Sequence, residues 1–141
     1  MFDPATEAHR WLEQAENDLA FAQHAHAGRF YHQVCFIGQQ CAEKALKALH
    51  FRDGARTILG HSVVALLEPL KARHPAMAAL VDLAAELDLF YIPTRYPNGL
   101  VEGTPHKVFT QSQAVRAMKA AEKVLLAVQL EIGAGENETK K

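Results

Sequence analysis

Four polar side chains that could bind or act on phosphate groups lie within residues 92–109. Arg95 offers a planar guanidinium that matches phosphate geometry, and Tyr96 offers an aromatic face for a nucleobase. Asn98 offers an amide that could hydrogen-bond to a base edge, and His106 is the fourth member. The segment has no helical periodicity, and a long connection of this kind in a compact domain is usually functional or disordered. We therefore expect recognition of a ligand to occur here.

Arg95 and His106 together would also suit metal-independent cleavage of RNA. A histidine supplies a base with a pKa near neutrality, and an arginine stabilises the negative charge that develops around phosphorus. The two are therefore candidate catalytic residues as well as binding residues. In the structural alternative, Tyr96 closes one end of the fold and Arg95 forms an ion pair with a nearby carboxylate, that of Glu43, Glu86 or Asp88.

A second group of cations falls between residues 43 and 61. Its members are Lys44, Lys47, Arg52, Arg56 and His61. Lys44, Lys47 and His61 could contact the phosphates of a nucleotide or a short single strand. The alternative is a solvated helix face, on which Glu43 and Lys47, one turn apart with the glutamate first, form a surface ion pair.

The sequence predicts neither a metal site nor a cofactor. The chain has eight histidines, but none forms an HExxH pair, and His24 and His26 project to different sides of a helix. No glycine-rich phosphate loop, nucleophile elbow or dinucleotide fingerprint is present. Cys35 and Cys41 lie on different faces of one predicted helix, so we expect two reduced thiols in the core.

The composition is that of a single globular domain. The 141 residues carry a formal net charge of −1, with 49% hydrophobic and 22% charged residues. This balance argues against a protein that coats duplex DNA, which normally has a basic footprint. No apolar run is long enough to cross a membrane, and the acidic N-terminus does not resemble a secretory signal. We expect a cytoplasmic protein.

Apolar residues recur at helical spacing along most of the chain, and five helices are predicted. Asp3 and Pro4 mark the start of the first helix, and Gly28 marks its end. The second helix is predicted over residues 30–52, with an apolar arc wide enough for a central helix. Its opposite face, expected to be exposed, carries Gln39, Gln40, Glu43, Lys47 and His50. Phe36 lies on that face too, either shielded by neighbouring side chains or in contact with a partner or a second copy.

The remaining helices are marked by capping residues. Ser62 is predicted to cap the third helix, and Pro75 to begin the fourth. Thr110 and Gln113 have the form of a capping box at the start of the fifth. That last helix should end at Gly133.

These elements predict an all-α fold. No segment alternates with the period of a β-strand, so no strands are expected. We predict an antiparallel up-and-down bundle of four to five helices over residues 1–133. Residues 134–141 are expected to form a disordered tail.

The ordered set of segments resembles the HEPN domain. The segments are WLEQAENDLAFA (residues 11–22), FIGQQCAEKALKAL (36–49), GHSVVALL (60–67) and LDLFYIPTRYPNG (87–99). The resemblance implies a helical bundle that is commonly dimeric and that binds nucleotide or RNA. It also implies a minimal nucleotidyltransferase as a possible partner, and for some such pairs a toxin–antitoxin role with the HEPN chain as an RNA-cutting toxin.

The RNA-cutting members carry an arginine and a histidine separated by four to six residues near the last helices. Here ten residues separate Arg95 from His106. Arg56 and His61 have four residues between them, but they lie between the second and third predicted helices. We therefore expect binding of nucleotide or RNA. The alternatives are an RNase toxin with His106 or His61 as base, and a non-catalytic protein that dimerises or binds a partner through Phe36 and the polar face of the second helix.

Overall fold

The computed structural model describes residues 1–139, and within them the fold is all-α, without β-strands. The helices are α1 (Pro4–Ala27), α2 (Tyr31–Arg52), α3 (Val63–Leu67), α4 (Val81–Asp88), α5 (Pro105–Val108) and α6 (Gln111–Thr139). Short 3-10 turns lie at Glu68–Lys71, Pro75–Leu80 and Pro97–Gly99. Across this described range no helix has both the length and the hydropathy needed to cross a membrane.

Helix α2 lies at the centre of the bundle, as its wide apolar arc predicts. It packs against α1 on one side and α6 on the other. The two helices lie close together at Gly38, where an added Cβ would lie 3.1 Å from the Ala117 carbonyl oxygen. At the other end of both helices, Gly135 lies beside the Arg52 guanidinium. α6 therefore runs parallel to α2, and the segment containing α3 and α4 returns the chain between them.

Most helix ends were predicted correctly from local sequence patterns. Asp3 is the N-cap residue of α1 and Pro4 its first residue. Ser62 caps α3, because its Oγ accepts a hydrogen bond from the Ala65 N–H at 3.1 Å. The capping box of α6 is also present: the Thr110 N–H donates to Gln113 Oε1 at 2.9 Å, and the Gln113 N–H donates to Thr110 Oγ1 at 3.3 Å.

Three predictions about the positions of the helices are wrong. Pro75 begins a 3-10 turn, and the α-helix itself begins only at Val81. The predicted structureless segment contains both the Pro97–Gly99 turn and α5. The last helix continues past Gly133 through residues predicted to be a tail, and residues 140 and 141 lie outside the described residues. Glycine weakens a helix by only about 1 kcal/mol, and a contact of 2.7 Å between His9 and Glu136 holds this end against α1.

The polar face of α2 is not exposed, contrary to the prediction. Gln39, Glu43 and Lys47 are buried, with 0%, 4% and 6% of their surface exposed. The segment between α2 and α3 covers this face, since the Gln39 amide donates to the His61 carbonyl oxygen at 2.7 Å. The His50 ring nitrogen lies 2.7 Å from the Leu66 carbonyl oxygen. Helical periodicity does not show this cover, because it comes from residues distant in sequence.

Candidate functional site

Arg95 lies in the turn that follows α4, and its side chain is held by three aromatic rings. Its guanidinium carbon is 4.5 Å from the ring centres of Phe36 and Tyr91, and 5.1 Å from that of Tyr96. Its Nε donates a hydrogen bond to the Tyr91 carbonyl oxygen at 2.9 Å. Such cation–π stacking favours a guanidinium over an ammonium group. The side chain is therefore held in one position before any ligand arrives.

No carboxylate of residues 1–137 forms an ion pair with Arg95, so the predicted structural pairing is wrong. Each of the three expected partners is engaged elsewhere. Glu43 pairs with Lys47 at 3.2 Å, and Glu86 pairs with Arg116 at 2.8 Å. Asp88 accepts hydrogen bonds from the start of α3. The terminal nitrogens of Arg95 donate to no other described side chain, so no described carboxylate neutralises its positive charge.

Arg95 lies in the wall of a cleft of about 370 Å³. The cleft is lined by His32, Gln33, Thr94, Arg95, Pro97, Thr104, Pro105 and His106. Arg95 and His106 thus share one cleft although ten residues separate them in the sequence. His106 reaches it from α5, and its Nδ1 lies 3.2 Å from Thr104 Oγ1. Thr94, which also lines the cleft and is 1% exposed, donates a hydrogen bond from its hydroxyl to the Phe90 carbonyl oxygen.

His32 adds a second imidazole that the sequence did not single out. Its ring centre lies 6.4 Å from that of His106, with the rings edge to face. Burial lowers the pKa of His32 below its ordinary 6.5, and the charge of His106 lowers it further. His32 is therefore neutral at pH 7. The signal in the sequence was its position one helical turn before Phe36, which places both side chains on one face of α2.

Tyr96 and Asn98 lie next to the cleft without lining it. Tyr96 is 49% exposed and covers the outer side of the Arg95 guanidinium. Asn98 is exposed in the Pro97–Gly99 turn. Phe36 is half-buried beneath Arg95 and 6.3 Å from the Tyr91 ring, so neighbours in the same chain shield it.

His61 is adjacent to the Arg95 cluster but outside the cleft. Its ring stacks on Tyr91 at 4.9 Å with an angle of 16° between the planes. Its Nδ1 lies 3.1 Å from Glu43 Oε1. Tyr91 therefore contacts both His61 and Arg95.

Lys44 and Lys47 lie toward α1, and carboxylates neutralise both. Lys47 pairs with Glu43, and the two side chains are only 7% and 5% exposed, so the predicted surface pair is in fact buried. Its ammonium also lies 5.6 Å from the Trp11 ring centre. Lys44 pairs with Asp18 at 2.7 Å. Neither lysine lines the cleft that contains Arg95.

The two cysteines lie in the core and are not part of this cleft. Cys35 and Cys41 are buried free thiols, and burial is the main cause that raises the pKa of each to about 12. In the part of the chain that the structure describes, no three residues of the metal-binding types converge.

Comparison with known proteins shows the family. The HEPN domain model matches residues 8–132. A solved protein of Thermus thermophilus is 39% identical, with a TM-score of 0.83, and the match covers 87% of this chain and 96% of that one. An archaeal HEPN homologue is 36% identical with a TM-score of 0.75, over 89% and 98% of the two chains. A HEPN domain protein of Thermotoga maritima is 33% identical with a TM-score of 0.70, again over 89% and 98%. No significant match was found among curated proteins. The chain belongs to the HEPN domain family.

Proposed function

We propose that this chain binds nucleotide or single-stranded RNA in the cleft of His32, Arg95 and His106. The observation that carries the proposal is the Arg95 guanidinium, which is fixed on three rings and has no carboxylate partner among the described residues. A planar guanidinium binds phosphate oxygens with two parallel hydrogen bonds. Because the side chain is already ordered, little conformational entropy is lost when the phosphate binds.

The residues beside the cleft suit the base of the same nucleotide. Tyr96 exposes about half of its surface next to Arg95, and stacking of a base on an aromatic ring tolerates any base. The exposed Asn98 amide can donate to and accept from a base edge. Lys44 and Lys47 take no part in this proposal because their charges are already paired.

Titration with AMP and with a short RNA tests the proposal. Arg95→Ala should weaken both by about 10- to 100-fold, the effect of losing charge-assisted hydrogen bonds. It should also lower the salt dependence of RNA binding by about one phosphate contact. The matched control is Arg116→Ala, which removes an exposed arginine outside the cleft. Absence of binding, or equal effects of the two substitutions, would contradict the proposal.

RNA cleavage is a second candidate function, favoured by the meeting of His32, Arg95 and His106 in one cleft. One imidazole would take the proton of the ribose 2′-OH as its oxygen attacks phosphorus, and the other would protonate the departing 5′ oxygen. The products would be a 2′,3′-cyclic phosphate and a 5′-OH. Incubating RNA with the protein in the presence of a chelator tests this, with His32→Ala and His106→Ala as variants and His61→Ala as the control outside the cleft. Intact RNA would rule this activity out and leave binding.

We further propose that the chain acts as a cytoplasmic homodimer alongside a minimal nucleotidyltransferase, in some settings as a toxin–antitoxin pair. Membership of the HEPN family supports this arrangement. Sedimentation of the purified protein tests the dimer, and co-purification with a nucleotidyltransferase encoded beside it tests the partnership. A monomer at high concentration, or separate elution of the two chains, would count against these assignments.

A further inference from the structure

An apolar pocket of about 520 Å³ lies at the turn between α1 and α2. Two phenylalanines are among its lining residues, and both are exposed: Phe21 at 48% and Phe30 at 58%. The alanines at the end of α1 and Gly28 complete the apolar lining, and His24 and Gln33 lie at the rim. Exposed aromatic side chains grouped in a concave site generally mark a binding surface.

The Phe30 ring is held in place by the turn on which it sits. A Cβ at position 28 would lie 3.1 Å from two atoms of that ring, so the ring packs closely over Gly28. Phe30 is also the N-cap residue of α2, and its backbone N–H donates to the Ala25 carbonyl oxygen at 3.0 Å. The pocket is therefore formed before a ligand binds.

Gln33 joins this pocket to the Arg95 cleft. Its side chain lines both cavities, and His32 beside it lines the cleft. A ligand bound by one phosphate at Arg95 can therefore extend past Gln33 into the pocket between Phe21 and Phe30. The Gln33 amide, which can both donate and accept hydrogen bonds, lies along that route.

The charges along this route suit a polyanion. No carboxylate lines either the Arg95 cleft or the phenylalanine pocket within the described residues. Two other clefts of the chain differ in this respect, since Glu7 and Glu13 line one and Asp53 and Glu131 line the other. The two adjoining cavities thus combine an unpaired guanidinium, imidazoles and exposed aromatic rings.

We infer that the ligand is a single-stranded oligonucleotide, with one phosphate at Arg95 and a neighbouring base stacked between Phe21 and Phe30. The inference rests on the proposed function and adds a base-binding subsite to it. Nucleic-acid bases stack on aromatic side chains whatever their sequence. The subsite therefore adds affinity for a strand longer than one nucleotide without selecting a sequence.

The test compares AMP with a short oligoadenylate, which alone is long enough to reach both cavities. Phe21→Ala and Phe30→Ala should each weaken oligoadenylate binding about tenfold and leave AMP binding unchanged. Leu126→Ala, which removes an exposed apolar side chain of α6, is the matched control and should affect neither. Far-UV circular dichroism of each variant confirms that it is folded. An oligodeoxyadenylate shows whether the strand must be RNA.

The outcomes separate this inference from the proposed function. If Arg95→Ala weakens binding but the phenylalanine variants do not, the subsite does not exist and the function stands. If oligoadenylate binds no more tightly than AMP, the inference is overturned. The inference is also overturned if the phenylalanine variants convert a dimer into a monomer while the affinity for oligoadenylate is unchanged. The pocket would then be a contact between two copies of the chain. If the phenylalanine variants weaken oligoadenylate binding while Arg95→Ala does not, the proposed role of Arg95 fails, and the inference that the strand places a phosphate there is overturned.

Discussion

Breaking the buried ion pair between Glu43 and Lys47 is predicted to destabilise the fold far more than breaking a surface pair. Lys47 Nζ lies 3.2 Å from Glu43 Oε2, and both side chains are almost fully buried. The perturbation is Lys47→Met, which keeps much of the side-chain volume and removes the charge. It leaves the Glu43 carboxylate in the interior with Gln39 at 3.5 Å and the ring of His61 at 3.1 Å.

The expected loss follows from the burial of the carboxylate. At 3.2 Å the attraction between two unit charges is about 5 kcal/mol for an effective dielectric constant of about 20. Removing one partner of a buried pair costs about 3–5 kcal/mol, because the remaining charge is left uncompensated. Gln39 and His61 still contact Glu43, so the lower end of that range applies. We predict that Lys47→Met lowers the free energy of unfolding by about 3 kcal/mol.

Urea unfolding followed by far-UV circular dichroism measures this loss. The matched control is Lys71→Met, whose ammonium lies only 2.8 Å from Glu68 Oε2 but whose pair is 35% and 46% exposed. That substitution should cost less than about 1 kcal/mol despite the shorter distance. Adding Glu43→Leu to Lys47→Met should recover most of the loss, since Gln39 still donates to the His61 carbonyl oxygen. Equal effects of the two lysine substitutions would refute the reasoning.

Three further predictions follow from particular contacts. Gly38→Ala should lower the free energy of unfolding, measured in urea, by about 1 kcal/mol. The new Cβ would lie 3.1 Å from a carbonyl oxygen of α6, and the cost of this overpacking exceeds the gain in helix propensity. Cys35 and Cys41, with pKa values raised to about 12, should not react with iodoacetamide at mildly alkaline pH until the protein unfolds. His32 should titrate by NMR below its ordinary pKa of 6.5, and His106→Ala should raise that value. Folding lowers the pKa of His32. Its contribution to the free energy of unfolding is therefore fully present above pH 6.5, where the ring is neutral in both states, and is lost as the pH falls through the folded-state pKa.

Each of these has an outcome that would contradict it. The control for Gly38→Ala is Gly133→Ala. Gly133 also lies in a helix, but an added Cβ there would have no atom of another described helix within 4 Å. This substitution should therefore raise the free energy of unfolding by about 1 kcal/mol. If Gly38→Ala raised it as well, the close approach of α2 and α6 would be wrong. Rapid alkylation of the folded protein would contradict the burial of the two thiols. A titration of His32 at or above 6.5 would contradict its desolvation.

The helices could be predicted because their signals are local. The capping hydroxyl of Ser62 and the Thr110–Gln113 capping box act within one turn. Apolar spacing identified α2 as the central helix for the same reason. The prediction failed where a long-range contact overrides local preference, as at Gly133, where the helix continues through a glycine.

The candidate site was predicted only in part. Arg95 and His106 were identified by residue type, and the structure places both in one cleft. His32 was missed because its only signal in the sequence, a position one helical turn before Phe36, gains meaning once Phe36 is known to contact Arg95. The exposure of Lys47 was misjudged, since its ammonium lies against Glu43 and the Trp11 ring, and Trp11 is distant in sequence.

The sequence by itself determined the helical class and most helix ends, because periodicity and capping act between residues a few positions apart. Only the tertiary structure decided which of the described charges are neutralised by an ion pair and which are not. It buried Lys47 against Glu43, and it placed Arg95 on one ring from α2 and on two from the segment that follows α4. These outcomes depend on segments far apart in the chain packing against one another, and no local pattern encodes such contacts.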